Sequence, residues 1–465
     1  MRKIVILGGG ISGLSTAHFL NKNGHDVRIL DENKLPGGKV TTREYEGCFC
    51  EMGPNTVLMN TEAMVQLLKE YGLFDKIIHP NTRAHKNRYI LSNRKLIKVP
   101  IKPWQVLFHP LVGVKNRLKL LQLPFKKFDT SHKEVSLRQF MTERFGKDVY
   151  RYFVSPFVNG IYAGDPDKIL AKYALKIIYD SEQKAEGNTW KGIIGFMKDR
   201  KRFKKKYQLP DQLMFTLRGG LSSMGEAIAD KLNDHYISEA RVSEVSKLGN
   251  GTYEVTYDHN GQAHTLHADC VISTIPPDHF VTISRDFNGI GPLKKQKFPY
   301  YAPVKVLHIA FYKSDVGISE EGFGVLTLPE ENKSFMGILF NSSTFPEIAP
   351  PELALFTVFV GGSRQRELCD LPDDDLKNKV VEDVKEVLQA SHDPLWVTSK
   401  FWKKGIPQFE KGHVSFLTAV EQFESDNKGF YFCGNFLRAV SVSECAEEGK
   451  LLAQRIHEEL AHGNH

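Results

Sequence analysis

The stretch KIVILGGGISGL, residues 3–14, decides the fold at the start of the chain. Its first five residues form the short apolar run that is typical of a parallel strand buried on both faces. Gly8, Gly10 and Gly13 then follow in the spacing G-x-G-x-x-G. The first glycine permits a tight turn, the second lets the backbone approach a pyrophosphate, and the third allows a helix to pack closely against the strand. The pattern predicts a Rossmann-like unit in which a helix N-terminus faces phosphate groups.

The segment that follows supports a dinucleotide site. HDVRILDE, residues 25–32, predicts a second strand that ends at Asp31. An acidic residue at this point accepts hydrogen bonds from the ribose hydroxyls of a dinucleotide. A glycine-rich turn without a ligand is the alternative, and the two strands together with the acid favour the dinucleotide. FAD and NAD share this fingerprint, so it does not choose between them.

Length and composition set the outer bounds. The chain has 465 residues, of which 41% are hydrophobic, and a net charge of +7. This length is too great for one core and predicts several packed units. The six cysteines form no C-x-x-C pair, and Cys48 and Cys50 lie too close for a zinc site, so we expect a reducing cytosol and no metal. No apolar run is long enough to cross a bilayer, and the glycines that follow the first strand argue against a signal peptide.

Further stretches carry a resemblance to a known family. They are PGGKV at 36–40, EMGPNTV at 51–57, NGIYAGDPDKI at 159–169, GILFNSSTFP at 337–346, FWKKGIPQFEKGH at 401–413 and GFYFCGN at 429–435. On these residues the chain resembles the FAD-dependent amine oxidase superfamily and, within it, the protoporphyrinogen/coproporphyrinogen oxidase family of haem biosynthesis. The resemblance runs nearly from end to end. It selects FAD as the cofactor and makes EMGPNTV a second flavin-binding turn.

The resemblance implies a fold of class α/β plus α+β in three parts. These are a Rossmann-like FAD-binding domain built from discontinuous segments, a mixed-sheet substrate domain, and a helical insertion that associates with a membrane. The segments are 1–60, 206–285 and 401–465 for the first domain, 61–94 and 286–400 for the second, and 95–205 for the helical insertion. Apolar alternation in VKVLHIAFY and LALFTVFV predicts strands of the substrate sheet, while ARVSEV and HADCVISTI predict strands that return to the FAD-binding domain.

The resemblance also implies which residues contact a noncovalent FAD. Those expected at the pyrophosphate and ribose are Gly8, Gly9, Gly10, Ile11, Ser12, Gly13, Asp31 and Glu32. Those expected at the second turn, the adenine and the flavin are Gly53, Pro54, Asn55, Thr56, Val242, Trp402, Val440, Ser441 and Val442. Lys39 stands where the family more often has arginine. The lysine keeps the positive charge but lacks the bidentate fork of a guanidinium. Val242 and Trp402 could equally be core residues.

The implied activity is the oxidation of a porphyrinogen, either protoporphyrinogen IX or coproporphyrinogen III, with O2 as acceptor and release of H2O2. The flavin carries the hydrogen transfer, so no side chain is expected to act as a catalytic acid, base or nucleophile. Arg88 corresponds to an arginine that meets a substrate propionate. Gly160 and Ala163 would let the backbone approach the macrocycle. The alternative for Arg88 is a solvated arginine at a strand edge.

Two other functions stay open on this fold. Many amine oxidases of the superfamily place a lysine beside the flavin, and Lys305 raises that hypothesis, although we expect it at an edge or rim. A flavin amine or polyene oxidase is therefore one alternative. A non-catalytic flavin-binding membrane scaffold is the other, because fold does not fix function.

Residues 99–128 predict a segment that lies on a membrane surface. Apolar side chains are interspersed with basic ones: Trp104, Phe108, Leu111, Leu118, Leu121 and Phe125, with Lys102, Lys115, Arg117, Lys119, Lys126 and Lys127. The alternative is a helical layer whose apolar residues fill a core. The resemblance favours a cytoplasmic protein in peripheral contact with the inner face of the cell membrane. No motif indicates a nucleic-acid partner, and the sequence leaves a homodimer open.

Overall fold

A computed structural model describes residues 2–100, 102–131, 134–318, 321–438 and 440–462. The strands are β1 (Lys3–Leu7), β2 (Asp26–Leu30), β3 (Thr42–Tyr45), β4 (Cys48–Glu51), β5 (Val57–Leu58), β6 (Ile77–Ile78), β7 (Arg88–Ser92), β8 (Lys95–Lys98), β9 (Met214–Leu217), β10 (Tyr236–Ile237), β11 (Ala240–Lys247), β12 (Tyr253–His259), β13 (Gln262–Ala268), β14 (Cys270–Ser273), β15 (Ser284–Arg285), β16 (Tyr300–Tyr312), β17 (Gly324–Thr327), β18 (Gly337–Phe340), β19 (Leu353–Gly361), β20 (Trp396–Gln408) and β21 (Phe430–Phe432).

The helices are α1 (Ile11–Lys22), α2 (Glu62–Glu70), α3 (Thr82–Lys86), α4 (Pro103–Leu107), α5 (Val114–Gln122), α6 (Leu137–Arg144), α7 (Lys147–Val149), α8 (Ser155–Tyr162), α9 (Ala171–Ala174), α10 (Lys176–Lys184), α11 (Thr189–Tyr207), α12 (Ser222–Leu232), α13 (Pro277–Ile283), α14 (Ile290–Lys294), α15 (Asn341–Thr344), α16 (Asp373–Leu388), α17 (His413–Asp426) and α18 (Val442–His462). A π-helical turn, Tyr150–Val154, connects α7 to α8.

The N-terminal apolar run forms the centre of a five-stranded parallel sheet. The strand order is β10–β2–β1–β14–β21, so strands from distant parts of the chain lie side by side. Ile4 and Ile6 of β1 face one hydrophobic core, and Val5 and Leu7 face another. A strand that is buried on both faces needs apolar residues at every position, which explains the continuous apolar run. Helices α1 and α18 pack against each other beside this sheet.

A seven-stranded mixed sheet forms the second domain. Its order is β20–β16–β19–β18–β17–β7–β8, and its neighbours run antiparallel except for the parallel pair β17 and β7. VKVLHIAFY lies in β16 and LALFTVFV lies in β19. The prediction of a mixed α/β fold with mixed sheets is confirmed. Helix α16 packs against this sheet through Val380 and Val384.

The structure differs from the sequence-based expectation in some limits and pairings. Residue 94 falls in the turn between β7 and β8 and residue 400 falls inside β20, so this sheet extends to Lys98 and Gln408. ARVSEV forms β11, which pairs with β12 and β15 in a separate sheet, whereas β14 does return to the parallel sheet. A short strand has the same apolar alternation whichever sheet it joins, so the pattern does not identify its partner.

The segment that directly follows β8 is helical. It runs from α4 to α11, and a buried ion pair between Arg144 and Glu182, at 2.6 Å, joins α6 to α10. Within the described ranges, no helix has both the length and the apolar character needed to span a bilayer.

Candidate functional site

A cavity of 1450 Å³ is lined by loops of the parallel sheet and by side chains of the mixed sheet. The predicted site residues that line it are Gly8, Gly9, Gly10, Ile11, Ser12, Asp31, Glu32, Lys39, Gly53, Pro54, Asn55, Thr56, Arg88, Gly160, Ala163, Val242, Trp402, Val440, Ser441 and Val442. Gly13 lies behind the first turn. The fold therefore brings together residues that are more than 400 positions apart in the sequence.

The G-x-G-x-x-G turn joins β1 to α1 in the wall of this cavity. Gly8 has a φ of +103°, a conformation that favours glycine. A Cβ on Gly13 would lie 2.1 Å from the Gly8 carbonyl oxygen, so α1 packs this closely only with glycine there. A Cβ on Gly10 would have no described atom within 4 Å, because this backbone faces open space at the start of α1. An exposed helix N-terminus of this kind is suited to bind phosphate.

Asp31 closes the first turn from the end of β2. Its Oδ2 accepts hydrogen bonds from the Gly9 N–H at 2.8 Å and the Tyr236 hydroxyl at 3.3 Å. Its Oδ1 accepts from the Asn33 N–H at 2.8 Å and the Asn33 side-chain amide at 2.9 Å. The Asp31 side chain is buried, whereas the neighbouring Glu32 is exposed in the cavity wall.

Lys39 brings a positive charge into the cavity. Its Nζ donates to the Gly405 carbonyl oxygen at 2.5 Å and lies 5.0 Å from the centroid of the Tyr301 ring. Burial lowers the pKa of Lys39 to about 8. A buried ammonium held by a carbonyl and a ring gains from the arrival of an anionic group, because an opposite charge compensates its lost hydration.

EMGPNTV forms a second turn, between β4 and β5. A Cβ on Gly53 would lie 2.0 Å from the Lys39 carbonyl oxygen, so the second turn touches the segment that follows the paired glycines. Asn55 Oδ1 accepts from Asn341 Nδ2 at 2.8 Å and from Thr357 Oγ1 at 2.9 Å. These bonds tie the turn to the mixed sheet.

Two side chains of the mixed sheet bond to the backbone of this turn. His308 Nε2 donates to the Glu51 carbonyl oxygen at 3.0 Å, and its Nδ1 lies 3.0 Å from Thr357 Oγ1. Full burial lowers the pKa of His308 to about 4, so the ring is neutral at physiological pH. Trp402 Nε1 donates to the Met52 carbonyl oxygen at 2.6 Å. Side chains of β16 and β20 therefore hold the backbone of the second turn in place.

The C-terminal segment returns to the same cavity just before α18. Ser441 Oγ accepts from the Glu444 N–H at 3.3 Å, which caps the start of this helix. Val440 and Val442 flank it in the cavity wall, and Val242 of β11 lines the cavity from another strand. Long-range packing of α18 on α1 brings this segment beside the first turn.

Arg88 begins β7, five strands across the mixed sheet from β20. Within the described chain, its guanidinium contacts the His85 carbonyl oxygen at 3.4 Å and the Phe323 ring, whose centroid lies 4.6 Å away. Burial lowers the pKa of Arg88 from its ordinary value. A half-buried guanidinium held by a carbonyl and a ring can accept a carboxylate in a planar contact.

The cavity wall between the two turns and Arg88 is apolar. Its side chains come from the mixed sheet and include Val304, Val306, Leu326, Met336, Ile338 and Phe359. A Cβ on Gly160 would lie 2.3 Å from Leu326 Cδ2, so glycine lets α8 approach this wall. Ala163 ends α8 with a φ of +49°.

Lys305 faces away from the cavity. Its neighbours on β16, Val304 and Val306, line the cavity, and strand alternation directs Lys305 to the opposite face. There its Nζ lies 3.0 Å from Asp373 Oδ1 and 5.4 Å from the centroid of the Phe401 ring. The expected edge or rim position is wrong, because β16 is an interior strand and Lys305 is 5% exposed. A bulge just before Val304 sets this register.

Sequence reasoning missed several polar lining residues. They are Arg43, His85, Arg241, His279, Tyr301, Lys400 and Lys404. Lys400 could have been found from Trp402, because residues two apart on a strand share a face, and its Nζ lies 5.0 Å from the Trp402 ring centroid. Phe153 also lines the cavity from the π-helical turn, which no local sequence pattern indicates.

These features fit FAD. The open backbone at Gly10, the start of α1 and the buried Lys39 suit a pyrophosphate, and Asp31 and Glu32 suit a ribose. The cavity extends past both turns, which leaves room for the isoalloxazine beside the apolar wall.

Comparison with known proteins supports FAD as the cofactor. The family model described as flavin containing amine oxidoreductase matches residues 11–457. Protoporphyrinogen oxidase 2, chloroplastic/mitochondrial, of Arabidopsis thaliana is 27% identical over 96% of this chain and 92% of its own length. Coproporphyrinogen III oxidase of Bacillus subtilis (strain 168) is 26% identical over 97% of this chain and 96% of its own length.

Solved structures share the fold. A crystal structure from Exiguobacterium sp. 255-15 has a TM-score of 0.79 at 21% identity and covers 98% of this chain and 99% of that one. Cyclohexylamine oxidase of Brevibacterium oxydans IH-35A has a TM-score of 0.68 at 16% identity and covers 99% of both chains. Because the family match spans almost the whole sequence and the cavity fits the cofactor, the chain belongs to the flavin containing amine oxidoreductase family and uses FAD.

Proposed function

We propose that this protein oxidises a porphyrinogen to the corresponding porphyrin in haem biosynthesis, with O2 as the electron acceptor. The substrate is protoporphyrinogen IX or coproporphyrinogen III, since relatives of similar identity are named for each. One observation carries the proposal: a single cavity joins the dinucleotide-binding turn to an apolar wall and the half-buried cation Arg88. A porphyrinogen has matching parts, because it is an apolar macrocycle with propionate side chains.

FAD, when bound, would supply the hydrogen transfer in three two-electron rounds with O2 as the acceptor, so one porphyrinogen and three O2 would give one porphyrin and three H2O2. The residues of the chain bind the substrate, orient it and shield it from water. Arg88 binds a propionate, and its stacking on Phe323 fixes the plane of the guanidinium. The apolar wall around Val304 and Leu326 excludes water from the reacting face.

The cofactor is held by the residues that line the first turn, the second turn and the start of α18. We assign this role to residues 8–13, Asp31, Glu32, Lys39, residues 53–56, Val242, Trp402 and residues 440–442. The substrate contacts are Arg88, Gly160 and Ala163. In this assignment the protein supplies position and charge, and no side chain acts as a nucleophile.

An amine oxidase is the less well supported function. A lysine beside the flavin would have to reach the cavity, and Lys305 instead pairs with Asp373 on the opposite face of the sheet. Of the lysines that line the cavity, Lys39 is bonded to Gly405, Lys404 is paired with Asp278, and Lys400 Nζ lies 5.0 Å from the Trp402 ring centroid.

We further propose that α4 and α5 contact a membrane surface. Trp104, Phe108 and Phe125 are 58%, 70% and 88% exposed, so they do not fill the core of this chain. Val99 and Pro100 line the cavity immediately before α4, which places an apolar surface next to the cavity wall. A substrate of low water solubility would gain from such a route, because it need not cross bulk water.

The activity is tested with purified protein reconstituted with FAD. We expect both porphyrin fluorescence and H2O2 when protoporphyrinogen IX or coproporphyrinogen III is supplied in air, with the ratio of kcat/KM values naming the preferred substrate. An enzyme-free reaction measures autoxidation, and an anaerobic reaction measures the requirement for O2. A primary amine serves as the competing substrate.

The possible results separate the three functions. Porphyrin formation above the enzyme-free rate, coupled to H2O2 at about three per porphyrin, supports the proposal. H2O2 from the amine without porphyrin formation would identify an amine oxidase. Stable FAD binding with neither product would leave a flavin-binding scaffold.

A further inference from the structure

Three basic side chains, close together in the chain, line the end of the cavity that is assigned to the substrate. They are His85 and Lys86 at the end of α3 and Arg88 at the start of β7. Lys86 is exposed, and no hydrogen bond or ion pair joins its ammonium to another described residue. The only acidic side chains among the described lining residues are Asp31 and Glu32, which lie beside the first turn. The described chain therefore leaves the positive charge at this end without an acidic partner.

The backbone and rings around these side chains are held in place by the strand that follows residue 321. Asn87 Nδ2 donates to the Glu321 carbonyl oxygen at 2.7 Å, and the Asn87 carbonyl oxygen accepts from the Phe323 N–H at 2.8 Å. The centroid of the Phe323 ring lies 4.6 Å from the Arg88 guanidinium and 6.1 Å from that of the His85 ring, which it meets edge-on. The three basic groups are thus fixed around one aromatic ring before a ligand binds.

The His85 imidazole is neutral and offers one hydrogen-bond donor. Burial, followed by the positive charges of Arg88, Arg200 and Lys86, lowers its pKa to about 4. Its Nδ1 is enclosed and has no hydrogen-bond partner among the described residues. A neutral imidazole carries a single N–H, and an enclosed N–H without an acceptor is unfavourable, so the proton lies on Nε2.

We propose that this end of the cavity is a site for two carboxylates, in which Arg88 binds one propionate and Lys86, together with the His85 Nε2–H, binds a second. The inference rests on the proposed function and adds two residues to its substrate contacts. One propionate would compensate only one of the two cations, and the other cation would still lack an opposite charge. Both candidate substrates carry propionates on two adjacent pyrrole rings, so a pair of carboxylates projects from one edge of the macrocycle.

The two cations suit the two propionates in different ways. Arg88 presents a planar fork whose plane is set by the Phe323 ring, which favours a carboxylate in one orientation. Lys86 carries a point charge on a flexible stem, so its ammonium can follow a propionate chain that is itself flexible. The pair therefore fixes one corner of the macrocycle and tolerates movement at the next.

The test measures the binding of the stable product protoporphyrin IX, its monomethyl ester and its dimethyl ester to the FAD-loaded protein. The change in flavin fluorescence gives each dissociation constant, at one low detergent concentration because the esters are poorly soluble. The wild type should lose affinity in two steps, about ten-fold or more for each esterified carboxylate. In Lys86→Met the diacid should bind about ten-fold more weakly and almost as weakly as the monoester, while the dimethyl ester should bind as it does to the wild type.

Further variants make this result specific. Lys86→Arg keeps the charge and should retain both steps. His85→Leu should lose part of the step that depends on Lys86, whereas His85→Gln, which retains an N–H donor, should lie closer to the wild type. Lys95→Met is the matched control, because Lys95 is exposed on the neighbouring strand β8 and does not line the cavity.

The outcomes separate this inference from the proposed function. The two-carboxylate site is overturned if Lys86→Met keeps both steps, or if a wild type that oxidises a porphyrinogen binds the diacid and its esters equally. Binding of the diacid to His85→Leu with the wild-type affinity would contradict the role of His85. If the wild type binds none of the three porphyrins and oxidises no porphyrinogen, the proposed function and this inference are both wrong.

Discussion

At the scale of single residues, two half-buried cations face the cavity without a carboxylate among their described partners. Lys39 is bonded to the Gly405 carbonyl oxygen, and Arg88 is held by the His85 carbonyl oxygen and the Phe323 ring. Burying a cation in this way costs free energy that an anionic ligand recovers. The two residues therefore lead to two predictions, one for the cofactor and one for the substrate.

The affinity for FAD should depend on pH through Lys39. Its pKa in the apoprotein is lowered to about 8, and a bound pyrophosphate should raise it, so FAD binds together with a proton above that pH. The dissociation constant should be level below pH 8 and should rise above it, by up to about ten-fold per pH unit. Lys39→Met should remove this rise and weaken binding at pH 7. Lys39→Arg, which stays charged, should still bind FAD tightly at pH 9. If the dissociation constant of Lys39→Met also rises above pH 8, the pH dependence belongs to another group.

Arg88 should act on substrate binding. Arg88→Ala removes a charged contact to a propionate, so KM should increase by about ten- to one-hundred-fold while the FAD content stays at the wild-type value. Arg83→Ala is the matched control, because Arg83 lies nearby on α3 and its exposed side chain pairs with Glu321. Equal KM values in the two variants would place the propionate contact elsewhere.

At the scale of elements, the second turn depends on side chains from two strands of the mixed sheet. His308 of β16 and Thr357 of β19 face each other in the register, and Asn55 in the turn bonds to Thr357. These groups are buried, so each loses its hydration on folding and must be compensated by its neighbour. The turn and the sheet should therefore form cooperatively.

Replacing the Thr357 hydroxyl tests this coupling. Thr357→Val removes the one hydroxyl that lies within hydrogen-bond distance of both His308 Nδ1 and Asn55 Oδ1, which should lower the free energy of unfolding by about 1–3 kcal/mol. It should also weaken FAD binding, because the second turn loses its support. Thr357→Ser retains the hydroxyl and should lie close to the wild type. Denaturant unfolding of the apoproteins measures the first effect and flavin titration the second, and a Thr357→Val protein as stable as Thr357→Ser would contradict the coupling.

At the scale of the whole molecule, exposed apolar residues on α4 and beyond lie next to residues that line the cavity. We expect the wild type to sediment with anionic liposomes at low ionic strength, because basic side chains in residues 99–128 add attraction to the apolar contact. Changing Trp104 and Phe108 together to Ser should leave most of the protein in the supernatant, with folding verified by FAD content.

A matched pair of substitutions makes the sedimentation result specific. Leu395 and Leu451 are also exposed, at 43% and 50%, but lie on other parts of the surface, so Leu395→Ser with Leu451→Ser should sediment like the wild type. If the wild type stays in the supernatant, the membrane proposal is wrong. If both double variants sediment equally well, α4 is not the contact.

The sequence by itself determined the dinucleotide turn and the mixed architecture. Local physics explains this success, because the spacing of Gly8, Gly10 and Gly13 and the apolar run before them require a strand, a turn and a helix over a few residues. The period of two in VKVLHIAFY likewise identified β16 without knowledge of its partners. Resemblance to a family then selected residues from distant segments, and all of them except Gly13 line one cavity in the described structure.

Only the tertiary structure decided the direction in which each side chain points and the residues that it contacts. Lys305 faces away from the cavity because a bulge and the pairing with β19 and β20 set the face of β16. The hydroxyl of Tyr236, over 200 residues away, donates to the Asp31 carboxylate, and Arg88 contacts the ring of Phe323 from another segment. Such contacts depend on long-range pairing, and the same local pattern is compatible with many partners, so no reading of neighbouring residues reveals them.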